Sequence, residues 1–357
     1  MKFKTILITG GCGFVGSNLA LKIKENYPET EIITFDNLKR SGSELNVPRI
    51  LDAGIKFVKG DVRFREQLVF KEKIDLIIEC SAEPSVLAGV GESPLYVTDT
   101  NLGGTINCLE LARQDQASFI FLSTSRVYPI AELSQIKYKE GKDRFLLSPS
   151  QDILGVSESG IKEDFPLGKI RTLYGATKLS SEHIINEFSN LYRIPSIINR
   201  CGVITGPWQF GKVDQGVIPL WIARHLYADK SLSYIGFGGE GKQVRDFLHV
   251  DDLFNVIDLE MSNFDKLNGE TFNIGGGLEN SLSLKEMTDL CHKITGNIID
   301  INSIFKCREG DIPIYITDSS KFRNITGWKP KKFSEETFRD IYNWIIVNKE
   351  DLRHILN

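Results

Sequence analysis

The segment Thr9-Gly10-Gly11-Cys12-Gly13-Phe14-Val15-Gly16 constrains this chain more than any other. It follows an apolar run at 5–9 and opens a stretch at 14–26 whose apolar residues recur three and four apart, so a strand turns tightly into a helix. Glycine at 10 permits the turn, glycine at 13 lets backbone approach an anion, and glycine at 16 lets helix and strand pack closely. A helix N-terminus placed this way offers N–H groups and partial positive charge to a pyrophosphate. A glycine triplet alone also serves ordinary strand-to-helix turns, so its meaning depends on the residues beyond it.

Twenty residues after Gly16, the next strand ends in Asp36, where a carboxylate can take both hydroxyls of an adenosine ribose. That favours NAD, because Asp36 would repel a 2′-phosphate, although Lys39 and Arg40 form a basic pair nearby. Asp61 follows the third strand and can reach an adenine amino group. Six candidate strands, at 5–9, 31–35, 56–58, 76–79, 119–122 and 196–199, alternate with helical stretches at 14–26, 94–113 and 176–192. This is the pattern of an α/β fold, a doubly wound Rossmann sheet with helices on both faces.

At about 150 residues per domain, 357 residues make roughly two domains. From about residue 200 onward, Gly and Pro punctuate shorter elements, as in a smaller C-terminal lobe. The expected division is a dinucleotide-binding domain at 1–201, with 242–274 returning to it, and a substrate-binding lobe at 202–241 and 275–357. The long connection at 129–173 reads as a binding loop, and 333–356 as one closing amphipathic helix. Trp208, Phe210 and Trp221 read as core aromatics, and His249 as a structural hydrogen-bonding residue.

With 43 Lys+Arg against 47 Asp+Glu and no basic block, nucleic acid is excluded as a main partner. No apolar run approaches the ~20 residues of a membrane span, so no membrane partner is expected. The six cysteines include no C-x-x-C pair, so no metal is expected. Reduced thiols, with an opening apolar stretch too brief for a signal peptide, place the chain in the cytoplasm.

Tyr174-Gly175-Ala176-Thr177-Lys178 puts a phenol and an ammonium four residues apart, on one face of a helix. A tyrosine must fall from a pKa of about 10 to act as a base near neutral pH, and an adjacent ammonium favours that loss. Ser123-Thr124-Ser125 lies past the strand at 119–122, at the carboxyl edge where such sheets bind ligands. Either motif alone is common; their chain order behind the glycine turn is far more specific.

With these motifs, and with Gly60-Asp61-Val62, Asn101-Leu102-Gly103-Gly104-Thr105, Arg245-Asp246-Phe247-Leu248-His249-Val250-Asp251-Asp252 and Phe272-Asn273-Ile274-Gly275-Gly276, the chain resembles the NAD-dependent sugar-nucleotide epimerase/dehydratase family of extended short-chain dehydrogenases/reductases. The resemblance implies that Thr124, Tyr174 and Lys178 are catalytic. It implies an NAD site lined by Gly10, Gly13, Phe14, Val15, Gly16, Asp36, Asn37, Arg40, Asp61, Val62, Ser81, Ala82, Glu83, Asn101, Ser123 and Cys201, together with Tyr174 and Lys178. A nucleotide-sugar substrate would meet Ser85, Thr124, Arg126, Gln209, Gln215, Arg245, Arg308 and Asp311, with both second-lobe arginines on the diphosphate and Asp311 towards the sugar. Relatives pair through two helices of the sheet domain, which implies a homodimer or homotetramer.

Family dehydratases carry an acidic pair after the threonine, whereas Ser125 and Arg126 follow Thr124, so epimerisation is expected. The segments Val213-Asp214-Gln215-Gly216-Val217, 239–246 and 280–284 resemble those of family epimerases that invert C2 of a CDP-linked 3,6-dideoxyhexose. A CDP-sugar is therefore favoured. Inversion at C4 of a UDP-hexose is the alternative, and a non-catalytic NAD-sensing protein the more distant one.

Overall fold

Residues 2–211, 215–228, 230–308 and 310–356 are described by the computed structural model. Strand β1 (Thr5–Thr9) is buried along its whole length, as a strand covered on both faces must be. With it run β2 (Glu31–Asp36), β3 (Lys56–Lys59), β4 (Leu76–Glu79), β5 (Ser118–Thr124), β6 (Ser196–Cys201) and β7 (Thr271–Ile274). They form one parallel sheet in the order β7-β6-β5-β4-β1-β2-β3. The order reverses between β1 and β4, and in such sheets ligands bind outside the carboxyl ends of the strands at that reversal. Six strands were expected in this sheet; the seventh, β7, comes from the stretch expected to return.

Helix α1 (Phe14–Asn26) has the bounds that its apolar spacing predicts. The stretch read as one helix at 94–113 is instead a short helix (Leu95–Thr98), a wide π turn (Asp99–Gly103) and α2 (Gly104–Asp115). The interruption has a local companion: the side chain of buried Asn101 accepts from the Glu83 N–H at 2.7 Å and donates to the Glu83 carbonyl at 3.1 Å. Helix α3 (Leu173–Tyr192) begins three residues before the expected 176, so Tyr174 is itself helical. Leu7, Phe35, Phe119 and Phe121 of the sheet pack with Leu109 of α2 and Ile185 of α3 in one buried apolar core. Each such side chain contributes about 1.5–3 kcal/mol on full burial.

The chain divides into one unit of Met1–Val127, Leu173–Arg200 and Leu253–Phe272 and a second of Tyr128–Thr172, Cys201–Asp252 and Asn273–Asn357. Apart from Cys201 and residues 273–274, which fall in the second unit at the edges of expected segments, this differs from the expected boundaries in two places. Residues 128–172 join the second unit, where the Ile161 carbonyl accepts from Asn273 Nδ2 at 2.9 Å and from the Asp318 N–H at 3.0 Å. Residues 242–252 also stay there, because the strand Val244–His249 pairs with 203–205, 281–283 and 314–315. The long connection is not structureless; it folds into two hairpins, Tyr138–Glu140 with Phe145–Leu147 and Val156–Ser157 with Gly160–Ile161. The closing helix is two helices, Ser334–Val347 and Lys349–Leu356, separated at Asn348, whose backbone leaves the helical region.

Candidate active site

In the first unit, the glycine turn fits a dinucleotide. Gly10 has a φ of +62°, and a Cβ there would lie 2.8 Å from the backbone of Cys80 and Ser81. At Gly16 a Cβ would lie 2.3 Å from the Gly10 carbonyl oxygen, so strand and helix approach too closely for any side chain. Among the described residues the only near neighbour of a Cβ at Gly13 is the Gly10 oxygen at 3.1 Å, no side chain caps α1, and no acid occupies its first turn. The first-turn N–H groups at Phe14, Val15 and Gly16 are therefore those available to an anion.

Asp36 stands beside that turn at the end of β2, accepting from the Cys12 N–H at 3.0 Å and the Leu38 N–H at 2.7 Å. Burial raises its carboxyl above the usual range, although these N–H groups and that of Gly13 work against the rise. Asn37 donates to Asp61 at 2.9 Å, and Arg63 grips the same carboxylate from Nε and Nη2. Partial burial alone would raise Asp61, but the Arg63 and Asn37 hydrogen bonds outweigh it and hold the carboxyl at about 2. Asp61 is thus a fixed anion tied by a residue that sequence reasoning passed over. Val62 packs behind Gly104, and the Arg40 carbonyl accepts from Ser43 at the edge of the same region.

The expected catalytic residues belong to two adjoining elements. Thr124 ends β5, and α3 packs against both β5 and the turn Ser125–Val127. The Thr124 hydroxyl oxygen accepts the Arg126 N–H at 3.2 Å, which leaves its proton to donate. Lys178 is buried, with its ammonium 3.8 Å from the centroid of the Phe121 ring, an arrangement that holds a cation without neutralising it. Tyr174 lies one turn earlier and is half-buried. Thr177, between them, donates to the Tyr174 carbonyl and accepts from Asn101.

The Ser123 hydroxyl donates to Glu182 at 2.5 Å. Glu182 in turn receives Arg200 through Nε and Nη2, and both partners of this ion pair are buried. Neither was read as functional, although Glu182 stands four residues after Lys178 and so on the same helix face. Ser81 bridges Thr9 and Glu79, and the Glu83 carboxylate accepts the Ser85 N–H, in the loop that also carries Ala82.

The expected second-lobe residues and Cys201, which is buried, lie in the second unit. Arg245 and Asp311 come together, but as an ion pair: Arg245 Nη2 donates to Asp311 at 2.7 Å and to the Ile312 carbonyl at 2.6 Å. The Asp311 N–H meets the exposed Arg308 at its carbonyl. Gln209 is folded back on its own turn, accepting from Thr205 and donating to the Ile204 carbonyl. Gln215 keeps a buried carbonyl oxygen with no partner among the described residues; Val213 and Asp214 of the same segment lie outside the described residues. His249 is buried and its Nδ1 accepts from the Asp251 N–H at 3.0 Å.

No helix among the described residues is long and apolar enough to cross a membrane. The chain is 30% identical over 95% of its length, and 98% of the relative's, to a CDP-paratose 2-epimerase of Salmonella typhi. It is 31% identical over 96% of its length, and 99% of the relative's, to a putative UDP-glucose 4-epimerase of Methanocaldococcus jannaschii. Among solved structures it is similar to the dTDP-glucose 4,6-dehydratase of Bacillus anthracis in complex with NAD, with a TM-score of 0.74 and 28% identity over 98% of this chain and 99% of that one. Residues 6–275 match the NAD dependent epimerase/dehydratase family. That stretch contains the glycine turn, the acid at the end of β2 and the Tyr/Lys helix face, and the chain belongs to the NAD-dependent epimerase/dehydratase family, with NAD as its cofactor.

Proposed function

We propose that the protein is a sugar-nucleotide epimerase that oxidises and re-reduces one ring carbon, inverting C2 of a CDP-linked 3,6-dideoxyhexose and so converting CDP-paratose to CDP-tyvelose. The observation that carries epimerisation is the catalytic face itself. Tyr174 and Lys178 share one side of α3 beside Thr124, and the turn after Thr124 presents Ser125 and Arg126 rather than carboxylates for expelling a second hydroxyl. The likeness to a CDP-paratose 2-epimerase over nearly the whole of both chains supports the CDP-sugar.

In this reading, NAD supplies a hydride acceptor and later a hydride donor when bound to the glycine turn, Asp36 and Asp61. Tyr174 takes the proton of the reacting hydroxyl and later returns it. Thr124, its oxygen engaged by the Arg126 N–H, donates to the same substrate oxygen and orients it. Lys178 keeps a positive charge one turn from the phenol, favouring the phenolate. Ser85, Thr124 and Arg126 of the first unit are proposed substrate contacts, as are Gln209, Gln215, Arg245, Arg308 and Asp311 of the second. Arg245 and Arg308 take the diphosphate, Arg245 being already oriented by Asp311. We also propose a cytoplasmic homodimer or homotetramer.

Inversion at C4 of a UDP-hexose is the second reading, favoured by the 31% identity to a putative UDP-glucose 4-epimerase. Incubation with CDP-paratose and, separately, UDP-glucose, with product stereochemistry read by NMR, distinguishes the two. CDP-tyvelose from the first and no UDP-galactose from the second is the expected result; the reverse replaces C2 inversion with C4 inversion.

A further inference from the structure

Among the buried acids that the proposed chemistry leaves without a role, Glu79 lies nearest to its residues in the sheet. Glu79 ends β4 with no exposed surface. One of its oxygens accepts from the Thr105 hydroxyl at 2.9 Å and from Ser81 at 3.5 Å, while the other has no partner among the described residues. A carboxyl held in the sheet with half its acceptor capacity unmet is costly to keep.

Register explains where it points. Glu79 stands opposite Thr9 of β1 and Phe121 of β5, so the three side chains share one face of the sheet. That face lies under α3, since Lys178 carries its ammonium over the Phe121 ring. Ser181, on the next turn of α3, donates to the Thr105 hydroxyl at 3.3 Å and to the Asn101 carbonyl at 3.0 Å. A chain of hydroxyls thus links Glu79 to the helix face that carries Tyr174 and Lys178. The titratable groups facing Glu79 are Lys178 from α3 and the Cys108 thiol from α2, whereas β1 and β5 face it with Thr9 and Phe121. Burial first, and then the charge of Glu79, push the Cys108 thiol well up, so it stays neutral.

We propose that Glu79 is a positioning residue for the epimerase reaction, the buried counter-charge of Lys178 that sets, through Lys178, how readily Tyr174 gives up its proton. A charged Glu79 cancels part of the ammonium's field at the phenol; a protonated Glu79 leaves that field whole. In a site shielded from water such charges act over several ångströms. Burial raises the Glu79 carboxyl to about 7 even though the Lys178 charge works against it, so the group changes charge across neutral pH.

The proposal rests on the epimerase reading only for the role it gives Tyr174, and its test needs no substrate. The ultraviolet absorbance of ionised tyrosine is titrated in the full-length protein, the contribution of Tyr174 being the part that Tyr174→Phe removes. Glu79→Gln, which keeps an acceptor for Thr105, should lower the Tyr174 midpoint by about one pH unit, and Glu79→Asp should bring it back. Conversely, Lys178→Met should raise the titration of the Glu79 carboxyl, followed by carbon-13 NMR. Coincident Tyr174 midpoints in the parent and Glu79→Gln overturn the proposal. Should Glu79→Gln not fold, a Glu79 titration unmoved by Lys178→Met overturns it equally. Either failure leaves the epimerase reading standing, because turnover is assayed separately.

Discussion

Single residues divide by whether their role is local. Gly10, Gly16 and Asp36 were legible in the sequence because a turn, a close approach and a strand end are set by neighbours along the chain. Asp61 was legible, but Arg63, which holds it, was not, since a basic residue two places on reads as solvated. Glu79 was hidden for a different reason: whether an acid at a strand end faces water or a helix depends on which strands flank it. At this scale, Tyr174→Phe should cut turnover at least a hundredfold while NAD released on denaturing the purified protein stays at the parent level; full activity would remove Tyr174 from the mechanism. Glu260 supplies a stability test. It is fully buried, its only partner among the described residues being the Asn199 amide at 3.0 Å, and burial lifts its carboxyl from 4.5 to about 8. The folded state therefore holds this proton more tightly than the unfolded chain does. Its stabilising contribution is complete below 4.5 and is lost as pH rises through about 8. In urea denaturation between about pH 6 and pH 9, the parent midpoint should fall relative to that of Glu260→Gln; parallel curves would show that Glu260 does not titrate there.

Elements were legible where one periodicity runs unbroken. Helix α1 has its expected bounds because its apolar spacing begins at the glycine turn and nothing interrupts it. The stretches at 94–113 and 333–356 keep helical periodicity through their breaks, at Asp99–Gly103 and Asn348, so the pattern alone could not reveal them. In the first, the Asn101 side chain is spent on the backbone of Glu83, a partner distant in sequence. The arrangement of α3, β5 and β6 has a similar long-range cause. Glu182 of α3 holds Ser123 of β5 and Arg200 of β6 in one buried network, so the positions of Thr124 and Lys178 are fixed by the residues next to them in chain and helix. Glu182→Ala removes the carboxylate paired with the buried Arg200 guanidinium and should cost roughly 3–5 kcal/mol of stability, read as a lower denaturation midpoint. A change below about 0.5 kcal/mol would mean the pair is solvated and anchors nothing.

For the whole molecule, the doubly wound sheet and the existence of a second unit were legible, whereas the assignment of segments to units was not. Residues 128–172 come directly after β5 and read as its continuation, yet their hydrogen bonds run to 273 and 318, pairings that no local signal announces. Net charge was informative in a narrower way than it first suggests. The balance of −4 argues against a polyanion, while the positive charge that we propose takes small diphosphates is local, at the start of α1 and at Arg245 and Arg308. Epimerisation by transient oxidation makes one demand that solvent-mediated inversion does not: the hydrogen removed from the inverted carbon must return to it. The direct test is to incubate the protein with CDP-paratose deuterated at C2 in ordinary water and examine the product by NMR. CDP-tyvelose with the deuterium retained at C2 is the predicted result; CDP-tyvelose carrying solvent hydrogen at C2 would contradict the account.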